Sequence, residues 1–591
     1  MHWCLFAVFI LTFSSAAVEC KRESRLSSGD EKGWLGKVEC KACQLLVRSL
    51  HFVWSQNRSQ ECIAELVSAV CKTLEIETPT ICKAISSEYK DEVLYILGEV
   101  ILEPRQICGL LLQNCGDPIH PLNQNWSLPI PGHKPPPFLP PPPPAGTPTL
   151  RVLHLSDIHV DEDYTAGAEA DCPSPLCCRP SNASHVRRAA GYWATLGRCD
   201  IPWRLVDATL EHIAKNEKVD YVIWTGDLAP HDPWNSSKAR HIAMLEKLKQ
   251  SFLRHFQNTP VFAAVGNHES APTDNFPAHN LAPPKYDIDW LYSSLASAWS
   301  PWLPNDTQAS ILWRGSYSSL LKPGFRIISL NTQYCDGLNF WLYLNATDPD
   351  GTLGWLTREL SEAERGGEIV HIIGHIPTGK SDCLAAWSRQ YYRIVDRFES
   401  TIRGQFFGHT HDDAFSLFYD LSSKSKRANN LMWIGPSLTT YSNLQPAYRI
   451  YEVDGARPNA SWSVLDHETH VLDVMESNRR NKTVWFLEYS MKAAYNISSL
   501  APSSLDHLAH EFAKNEKLFS QYNRFYRRLK QPCGAGCRRG RLCEMRAAMS
   551  HAESQFCAQL PPAPPSAKAT KLQAERLSRQ RLKSLRQICI P

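Results

Sequence analysis

Five short polar motifs, each placed directly after a run of apolar residues, constrain this chain of 591 residues more than any other feature. In order they are D-I-H (Asp157, His159), G-D (Asp227), G-N-H-E (Asn267, His268), G-H (His375) and G-H-T-H (His409, His411). The apolar runs are typical of buried strands, so each motif is predicted to begin where a strand ends, at the edge of an α/β sheet where sites form. Asp, Asn and His supply oxygen and nitrogen ligands that suit Zn²⁺ or a similar ion. The motifs therefore predict a metal site at this edge.

The order and spelling of the motifs resemble the calcineurin-like metallophosphoesterases. The resemblance implies an α/β fold with a four-layer core, in which two packed sheets are flanked by helices. It also implies two metal ions, the first held by Asp157, His159 and His411, the second by Asn267, His375 and His409, and both bridged by Asp227. Two cations at one site activate water and neutralise charge on phosphoryl oxygens, so the resemblance implies a metal-dependent phosphoesterase.

The same motifs favour a zinc pair over an iron pair. In purple acid phosphatases a tyrosine that ligates ferric iron stands three residues after the G-D aspartate, whereas Pro230 occupies that position here. Those enzymes also lack the histidine found at His159. We therefore expect two Zn²⁺ ions as cofactors.

Two histidines beside the expected ligands are candidates for catalysis. A leaving oxygen that departs as an alkoxide needs a proton, and histidine is the commonest donor. His268 follows Asn267 directly, and His231 stands four residues after Asp227. We predict both as the acid or as phosphate-binding groups, with an ordinary loop histidine as the alternative for His231.

The amino-terminal residues and the composition predict a secreted glycoprotein. Residues 1–18 contain an apolar stretch that is too short to span a bilayer and ends in small residues, as in a secretory signal peptide. The chain has 20 cysteines and no later apolar run of about 18 residues, so a soluble protein in a lumen or outside the cell is expected. We expect a monomer. Nine candidate glycosylation sequons are found, at Asn57, Asn125, Asn182, Asn235, Asn305, Asn345, Asn459, Asn481 and Asn496.

Residues 36–119 form a cysteine-rich segment with amphipathic helical patterns. Its spacing resembles the saposin B-type domain, an all-α fold that binds membranes or lifts lipids from them. That resemblance implies pairing of Cys40 with Cys115, Cys43 with Cys108 and Cys71 with Cys82. A disulfide-stapled helical spacer is the alternative. Cys62 is an extra cysteine, either a buried thiol or one that pairs outside the segment.

The order of modules gives a second resemblance. Residues 120–149 are a proline-rich linker expected to be extended and semi-rigid, residues 150–455 the catalytic domain, and residues 456–591 a helical, disulfide-containing region. This arrangement resembles the acid sphingomyelinase family. The resemblance implies hydrolysis of sphingomyelin to ceramide and phosphocholine at acidic pH on membranes or lipoproteins, in lysosomes or outside the cell after secretion, with the saposin module presenting lipid. The family pattern further implies the pairs Cys172–Cys177, Cys178–Cys199, Cys335–Cys383, Cys533–Cys537 and Cys543–Cys557, and leaves Cys589 over.

The sequence allows more than one interpretation of the substrate and the binding partners. Tyr441 is a candidate for contacting the quaternary ammonium of the headgroup, with a structural tyrosine as the alternative. The net charge of +3 and the 22 histidines favour anionic lipid surfaces in an acidic compartment, whereas no pattern indicates nucleic-acid binding. Other functions compatible with the motifs are a phosphodiesterase of nucleotides or other phospholipids and an inactive lipid-binding or transfer protein, although the full ligand set argues against the latter.

Overall fold

The computed structural model describes residues 60–73, 75–99, 125–138, 140–141, 143–144, 146–181, 185–422, 427–455, 457–529 and 531–558, together with Gln44, Arg48, Leu122 and Leu560. The predicted signal peptide and the expected pairs Cys40–Cys115 and Cys43–Cys108 lie outside these residues, as do Cys589, the Cys62 side chain, Asn57 and Asn182.

Fourteen helices and twelve strands are formed by the described residues. The helices are α1 (Gln60–Thr73), α2 (Pro79–Glu99), α3 (Trp203–Asn216), α4 (Lys238–His255), α5 (Asp289–Trp299), α6 (Gln308–Arg314), α7 (Thr352–Gly366), α8 (Ala385–Arg397), α9 (Val474–Arg480), α10 (Met491–Tyr495), α11 (Pro502–Lys514), α12 (Glu516–Arg527), α13 (Ala535–Arg546) and α14 (Glu553–Phe556). The strands are β1 (Leu150–Leu155), β2 (Tyr221–Trp224), β3 (Val261–Ala263), β4 (Tyr317–Lys322), β5 (Phe325–Ser329), β6 (Ile369–Ile373), β7 (Ile402–Phe407), β8 (Ala414–Tyr419), β9 (Ala428–Ile434), β10 (Ala447–Val453), β11 (Val464–Leu472) and β12 (Trp485–Ser490).

The strands form two mixed sheets of six strands each. The first has the order β12-β11-β10-β1-β2-β3, in which β1, β2 and β3 are parallel and the other pairs are antiparallel. The second has the order β4-β5-β6-β7-β9-β8, with parallel pairing from β5 through β9. The carboxyl ends of the parallel strands in each sheet therefore share one edge.

The two sheets pack against each other through apolar and aromatic side chains. The rings of Phe406 in β7 and Tyr451 in β10 lie 4.9 Å apart between centroids. The Tyr317 hydroxyl in β4 donates to the Ala263 carbonyl in β3 over 2.9 Å, so polar contacts also join the sheets. Strands covered on both faces carry near-continuous apolar sequences, which is why the motifs stand out so clearly behind them.

Helices cover the outer face of each sheet. In α3 the buried residues Leu205, Val206, Leu210 and Ile213 recur at helical spacing. On the second sheet, the Tyr391 hydroxyl of α8 donates to Gln405 in β7 over 2.7 Å. The observed fold is thus two mixed sheets flanked by helices, as expected.

The amino-terminal helices pack against the catalytic domain. Cys71 in α1 is bonded to Cys82 in α2. The Tyr89 hydroxyl of α2 donates to the Thr273 carbonyl over 3.0 Å, and the Trp341 indole donates to the Glu92 carboxylate over 2.9 Å. This helix pair therefore contacts the loop that follows the G-N-H-E motif.

The linker lies on the catalytic domain over its first part. Trp126, Leu128 and Ile130 pack against the core. Lys134 forms ion pairs with Asp396 at 2.7 Å, Glu399 at 2.8 Å and Asp420 at 3.3 Å. The segment expected to be a semi-rigid tether is thus docked along its first residues, because a buried carboxylate cluster and an apolar surface both receive it.

The carboxyl-terminal helices extend the second sheet's outer layer. Phe519, Tyr522, Phe525 and Tyr526 form the buried face of α12, whose first turn is capped by the Asn515 side chain. The Ser416 hydroxyl of β8 donates to the Glu544 carbonyl of α13 over 2.7 Å. This region consequently belongs to the same packed unit as the sheets.

Six disulfide bonds occur among the described residues, and all match expected pairings. Besides Cys71–Cys82 they are Cys172–Cys177, Cys178–Cys199, Cys335–Cys383, Cys533–Cys537 and Cys543–Cys557. Within the described ranges, none of the helices is both long and apolar enough to cross a membrane.

Candidate metal centre

The motif residues gather where parallel strands of both sheets end. Asp157, Asp227 and Asn267 follow β1, β2 and β3, whereas His375 and His409 follow β6 and β7. Five of the seven expected ligands have left-handed backbone, namely Asp157, His159, Asp227, His409 and His411. Such backbone costs a non-glycine residue about 1–3 kcal/mol, and its concentration here is typical of a functional site.

Asp157, His159 and His411 form one group of converging ligand atoms. The Nε2 atoms of His159 and His411 lie 3.2 Å apart, and His411 Nε2 is 3.8 Å from Asp157 Oδ1. All three residues are buried. This is the set expected for the first metal.

Asp227, His375 and His409 form the second group. The Asn267 side-chain oxygen lies 2.8 Å from His375 Nε2 and 3.0 Å from His409 Nδ1, so it joins this group. Asp227 Oδ2 is 3.2 Å from His375 Nε2 and 3.3 Å from His159 Nε2. The Asp227 carboxylate thus stands between the two groups, where a bridging ligand is expected.

Backbone carbonyls orient two of the imidazoles. His159 Nδ1 lies 2.7 Å from the Ala229 carbonyl, and His375 Nδ1 lies 2.6 Å from the Thr225 carbonyl. A carbonyl only accepts, so each Nδ1 donates and the Nε2 lone pair faces the cluster. Histidines that bind metals are commonly oriented in this way.

Two further carboxylates hold the ligand loops, and the sequence pattern did not single them out. Asp274 accepts from the Asn267 amide nitrogen over 2.7 Å and thereby turns the amide oxygen towards the cluster. Glu269, the last residue of G-N-H-E, accepts from the backbone N–H groups of Asp227 at 3.0 Å and Leu228 at 2.7 Å. Burial raises the pKa of Asp274 to about 6 and that of Glu269 to about 7.

The electrostatics immediately around Asp227 favour positive charge. Burial alone lowers a histidine pKa, but the hydrogen bond and charge of Asp227 outweigh burial and raise the pKa of His159 to about 9. For His375, burial is likewise outweighed by the charge and hydrogen bond of Asp227, and the pKa rises to about 9. Seven oxygen and nitrogen donors around a buried carboxylate suit divalent metal ions. Ions bound there would lower the pKa of bound water and neutralise phosphoryl charge.

His231 and His268 lie beside the first group. The ring centroid of His159 is 3.9 Å from that of His231 and 4.7 Å from that of His268. His231 Nδ1 lies 2.8 Å from the buried Asp200 carboxylate, and His268 Nδ1 lies 3.2 Å from the Pro230 carbonyl. In both histidines Nε2 is therefore the nitrogen left to meet a substrate oxygen.

Both parts of the catalytic region match known families. Residues 150–413 match the family model described as calcineurin-like phosphoesterase, and residues 428–557 match that described as acid sphingomyelin phosphodiesterase C-terminal region. Sphingomyelin phosphodiesterase 2 of Caenorhabditis elegans is 38% identical over 548 residues, which cover 88% of this chain and 88% of that protein. The sphingomyelin phosphodiesterase of Bos taurus is 37% identical and that of Homo sapiens 36%, covering 90% and 87% of this chain and 85% and 82% of their own.

The chain belongs to the acid sphingomyelin phosphodiesterase family. Its catalytic domain has the calcineurin-like phosphoesterase fold, which uses a divalent metal centre. The protein is a phosphodiester hydrolase. This confirms the family expected from the motifs and from the order of the modules.

In this phosphodiesterase Tyr441 supports His231. The Tyr441 ring stacks on the His231 ring with centroids 3.9 Å apart and planes 7° apart. The Tyr441 hydroxyl donates to the Pro175 carbonyl over 3.2 Å, and the side chain is 5% exposed. With one face against His231 and the hydroxyl engaged, Tyr441 offers little surface to a quaternary ammonium in this conformation.

Proposed function

We propose that the protein hydrolyses sphingomyelin to ceramide and phosphocholine, with two Zn²⁺ ions as cofactors. The observation that carries the proposal is the convergence of seven metal donors at one sheet edge beside His231 and His268, in a chain whose relatives over most of its length are named sphingomyelin phosphodiesterases. Asp157, His159 and His411 would hold one ion, and Asn267, His375 and His409 the other, with Asp227 between them.

Protonation of the leaving group is the step assigned to His231. Ceramide leaves as a primary alkoxide, which is a poor leaving group unless it receives a proton. His231 and His268 both keep Nδ1 engaged, with the Asp200 carboxylate and the Pro230 carbonyl, and present Nε2 on the side of the first metal group. We assign proton donation from Nε2 to His231, which Asp200 orients, and contact with the phosphoryl group to His268. Burial lowers the pKa of His268 well below its usual value and disfavours the imidazolium that proton donation requires.

Lipid presentation is assigned to the amino-terminal module. Tyr89 and Glu92 of α2 reach Thr273 and Asn275, which lie in the loop directly after G-N-H-E. A module attached at this point is well placed to bring a membrane lipid to the metal centre. The basic composition at acidic pH favours contact with anionic lipid surfaces.

We further propose an acidic setting, in lysosomes or outside the cell, for a monomeric glycoprotein. The six disulfide bonds are typical of an oxidising compartment. The seven sequon asparagines within the described residues are all exposed, as glycosylation requires. A mobility shift on enzymatic deglycosylation, combined with the distribution of the protein between lysosomes and medium, tests this part.

The central experiment uses purified full-length protein and sphingomyelin vesicles at pH 5. Phosphocholine release that is lost on chelation and restored by Zn²⁺ is the expected result, with Asp227→Asn as the matched variant that Zn²⁺ does not restore. Activity confined to soluble nucleotide diesters would instead favour a nucleotide phosphodiesterase. Lipid uptake without turnover would favour a transfer protein.

A further inference from the structure

The G-H-T-H loop depends on a contact from the carboxyl-terminal region. His409 and His411 both have left-handed backbone, with φ of 69° and 61°. Such a conformation persists only when surrounding contacts enforce it. On one side, the His409 N–H donates to Asp157 Oδ1 over 2.8 Å. On the other side, the contact comes from Arg528, 117 residues further along the chain than His411.

Arg528 uses all three of its nitrogens to hold the neighbouring loops. Nη1 donates to the His411 carbonyl over 2.8 Å, Nε to the Gln445 carbonyl over 2.7 Å, and Nη2 to the Ser437 hydroxyl over 3.0 Å. The side chain is 3% exposed. Among the residues that the structure describes, no carboxylate lies within 4 Å of this guanidinium. The guanidinium of Arg528 thus contacts the loops through hydrogen bonds and not through an ion pair.

The loop held through Ser437 reaches both parts of the site. The Ser437 N–H lies 3.4 Å from the same His411 carbonyl, and the Thr439 N–H donates to the Asp157 carbonyl over 3.1 Å. The Thr439 hydroxyl donates to Asp200, the carboxylate partner of His231, over 2.8 Å. One guanidinium therefore joins the backbone of a metal ligand to the loop that supports a second ligand and the Asp200–His231 pair.

Arg527 reinforces the same junction. It donates to the Asp412 carboxylate over 2.9 Å and to the Ser442 carbonyl over 3.1 Å. Arg527 thus holds the residue after His411 and the residue after Tyr441, next to the contacts of Arg528. The carboxyl-terminal region in this way supports the loops that carry the metal ligands.

We propose that Arg528 is a positioning residue of the metal centre, which fixes the His411 backbone so that the imidazole keeps the geometry required to bind a divalent ion. The inference relies on the proposed function only in taking the ion at this site to be zinc. Residues that orient metal ligands typically contribute about 10- to 100-fold in metal affinity or activity. Arg528 is expected to act in this range.

The test compares Arg528→Met, Arg528→Lys and Arg524→Met in the full chain. Zinc affinity is measured by competition with a chromophoric chelator, and kcat and KM with a soluble phosphodiester. Arg528→Met is expected to lower zinc affinity and kcat by about 10- to 100-fold with KM changed much less. Arg528→Lys is expected to recover part of both, because an ammonium can still donate to two of the three acceptors.

Arg524→Met is the matched control, since Arg524 lies on the same helix with its side chain 62% exposed. It should retain wild-type zinc affinity and kcat. Wild-type zinc affinity and kcat in a folded Arg528→Met, even with a lowered melting temperature, would overturn the proposal, because a structural role alone predicts that pattern.

A milder variant, Ser437→Ala, keeps the proposal testable if Arg528→Met does not fold. Ser437→Ala removes one of the three acceptors and is expected to weaken zinc binding by a few-fold. If Arg528→Met does not fold, unchanged zinc affinity in both Ser437→Ala and Arg528→Lys overturns the proposal. The zinc measurement does not involve lipid, so a wild-type protein that binds zinc but leaves sphingomyelin intact would refute the proposed substrate and not this inference.

Discussion

His231 Nδ1 lies 2.8 Å from the carboxylate of Asp200, a residue 31 positions earlier in the chain and fully buried. Asp200 also accepts from the His231 N–H over 2.7 Å and from the Thr439 hydroxyl over 2.8 Å. The charge and hydrogen bonds of His231 outweigh burial and lower the pKa of Asp200 to about 2, so this carboxyl is ionised at pH 5. The pair has the arrangement of a proton donor oriented by a carboxylate.

Asp200→Asn is therefore expected to impair protonation of the leaving group. We predict that kcat for sphingomyelin falls by about 10- to 1,000-fold, whereas kcat for a diester that releases p-nitrophenolate falls by less than about 5-fold, because p-nitrophenolate leaves without a proton. Zinc content should stay at the wild-type level. His268→Ala, in contrast, should slow both substrates, because the phosphoryl group is common to them. Equal losses on both substrates for Asp200→Asn would refute the proton-donating role of His231.

The sequence pattern identifies His231 of this pair but not Asp200. The ligands could be predicted because each stands directly behind an apolar run, and parallel strands bring such positions to one edge. Asp200 has no such position. It precedes α3, and only the folded chain brings it to His231. Its contact with Thr439 spans 239 residues and leaves no local pattern.

The same reason explains why no sequence pattern identifies Asp274 and Arg528 as parts of the site. Asp274 stands among loop residues with no periodicity, and its role depends on which atom of Asn267 it contacts. Arg528 directly follows Arg527 at the end of α12, and exposure to solvent is the ordinary expectation for arginines. The linker gives a third example: its proline content predicts an extended chain, but proline content carries no information about the surface on which Lys134 docks.

Asp274→Asn is predicted to weaken the second group of donors. The asparagine can donate to Asn267 as well as accept, so the amide of Asn267 loses its fixed orientation. Zinc affinity should fall by about 10- to 100-fold at one of the two ions and stay near wild type at the other. A chelator titration resolved into two steps measures this. Equal weakening of both ions would contradict the placement of Asn267 in the second group.

Loosening the contact between α2 and the catalytic domain should affect membrane substrate selectively. The variant Tyr89→Phe removes the hydrogen bond to Thr273 and keeps the aromatic ring. A hydrogen bond of this kind contributes about 0.5–1.5 kcal/mol, so we expect a several-fold slower hydrolysis of sphingomyelin in vesicles. Hydrolysis of a soluble diester should be unchanged. Tyr192→Phe, on an exposed side chain, is the control. Equal slowing on both substrates would refute a lipid-presenting role for this contact.

Lys134→Met should destabilise the docked linker. The lysine side chain is 20% exposed and contacts three carboxylates that are 5–12% exposed. After its removal Arg427 still pairs with Glu399 and Asp420, but Asp396 loses its ion pair with Lys134. We expect the free energy of unfolding to fall by about 1–3 kcal/mol, measured by denaturant titration at pH 7. Lys285→Met is the control, because Lys285 is 64% exposed and 3.8 Å from Asp91, and a loss below about 0.5 kcal/mol is expected. Similar losses in both variants would contradict the docking.

Glu488 is expected to make the free energy of unfolding depend on pH. Burial, aided by the negative charge of Asp413, raises the pKa of Glu488 to about 7 from a usual value of 4.5. Between pH 4.5 and about 7 the Glu488 carboxyl therefore holds a proton in the folded protein that it has lost in the unfolded chain. This contribution to stability is fully present below pH 4.5 and is lost as the pH rises through 7.

Glu488→Gln keeps the neutral form at every pH, so the variant should not lose this stability. Relative to wild type it is expected to gain on the order of 2–3 kcal/mol in unfolding free energy between pH 4.5 and pH 8. Denaturant titrations at pH 4.5, 6 and 8 measure the difference. Glu476→Gln is a control of opposite sign, since hydrogen bonds from Arg479 and Arg480 lower the pKa of the partly exposed Glu476 to about 2. A Glu488→Gln difference that does not grow with pH would show that the buried carboxyl is ionised in the folded protein, with Arg524 and Arg528 prevailing over burial.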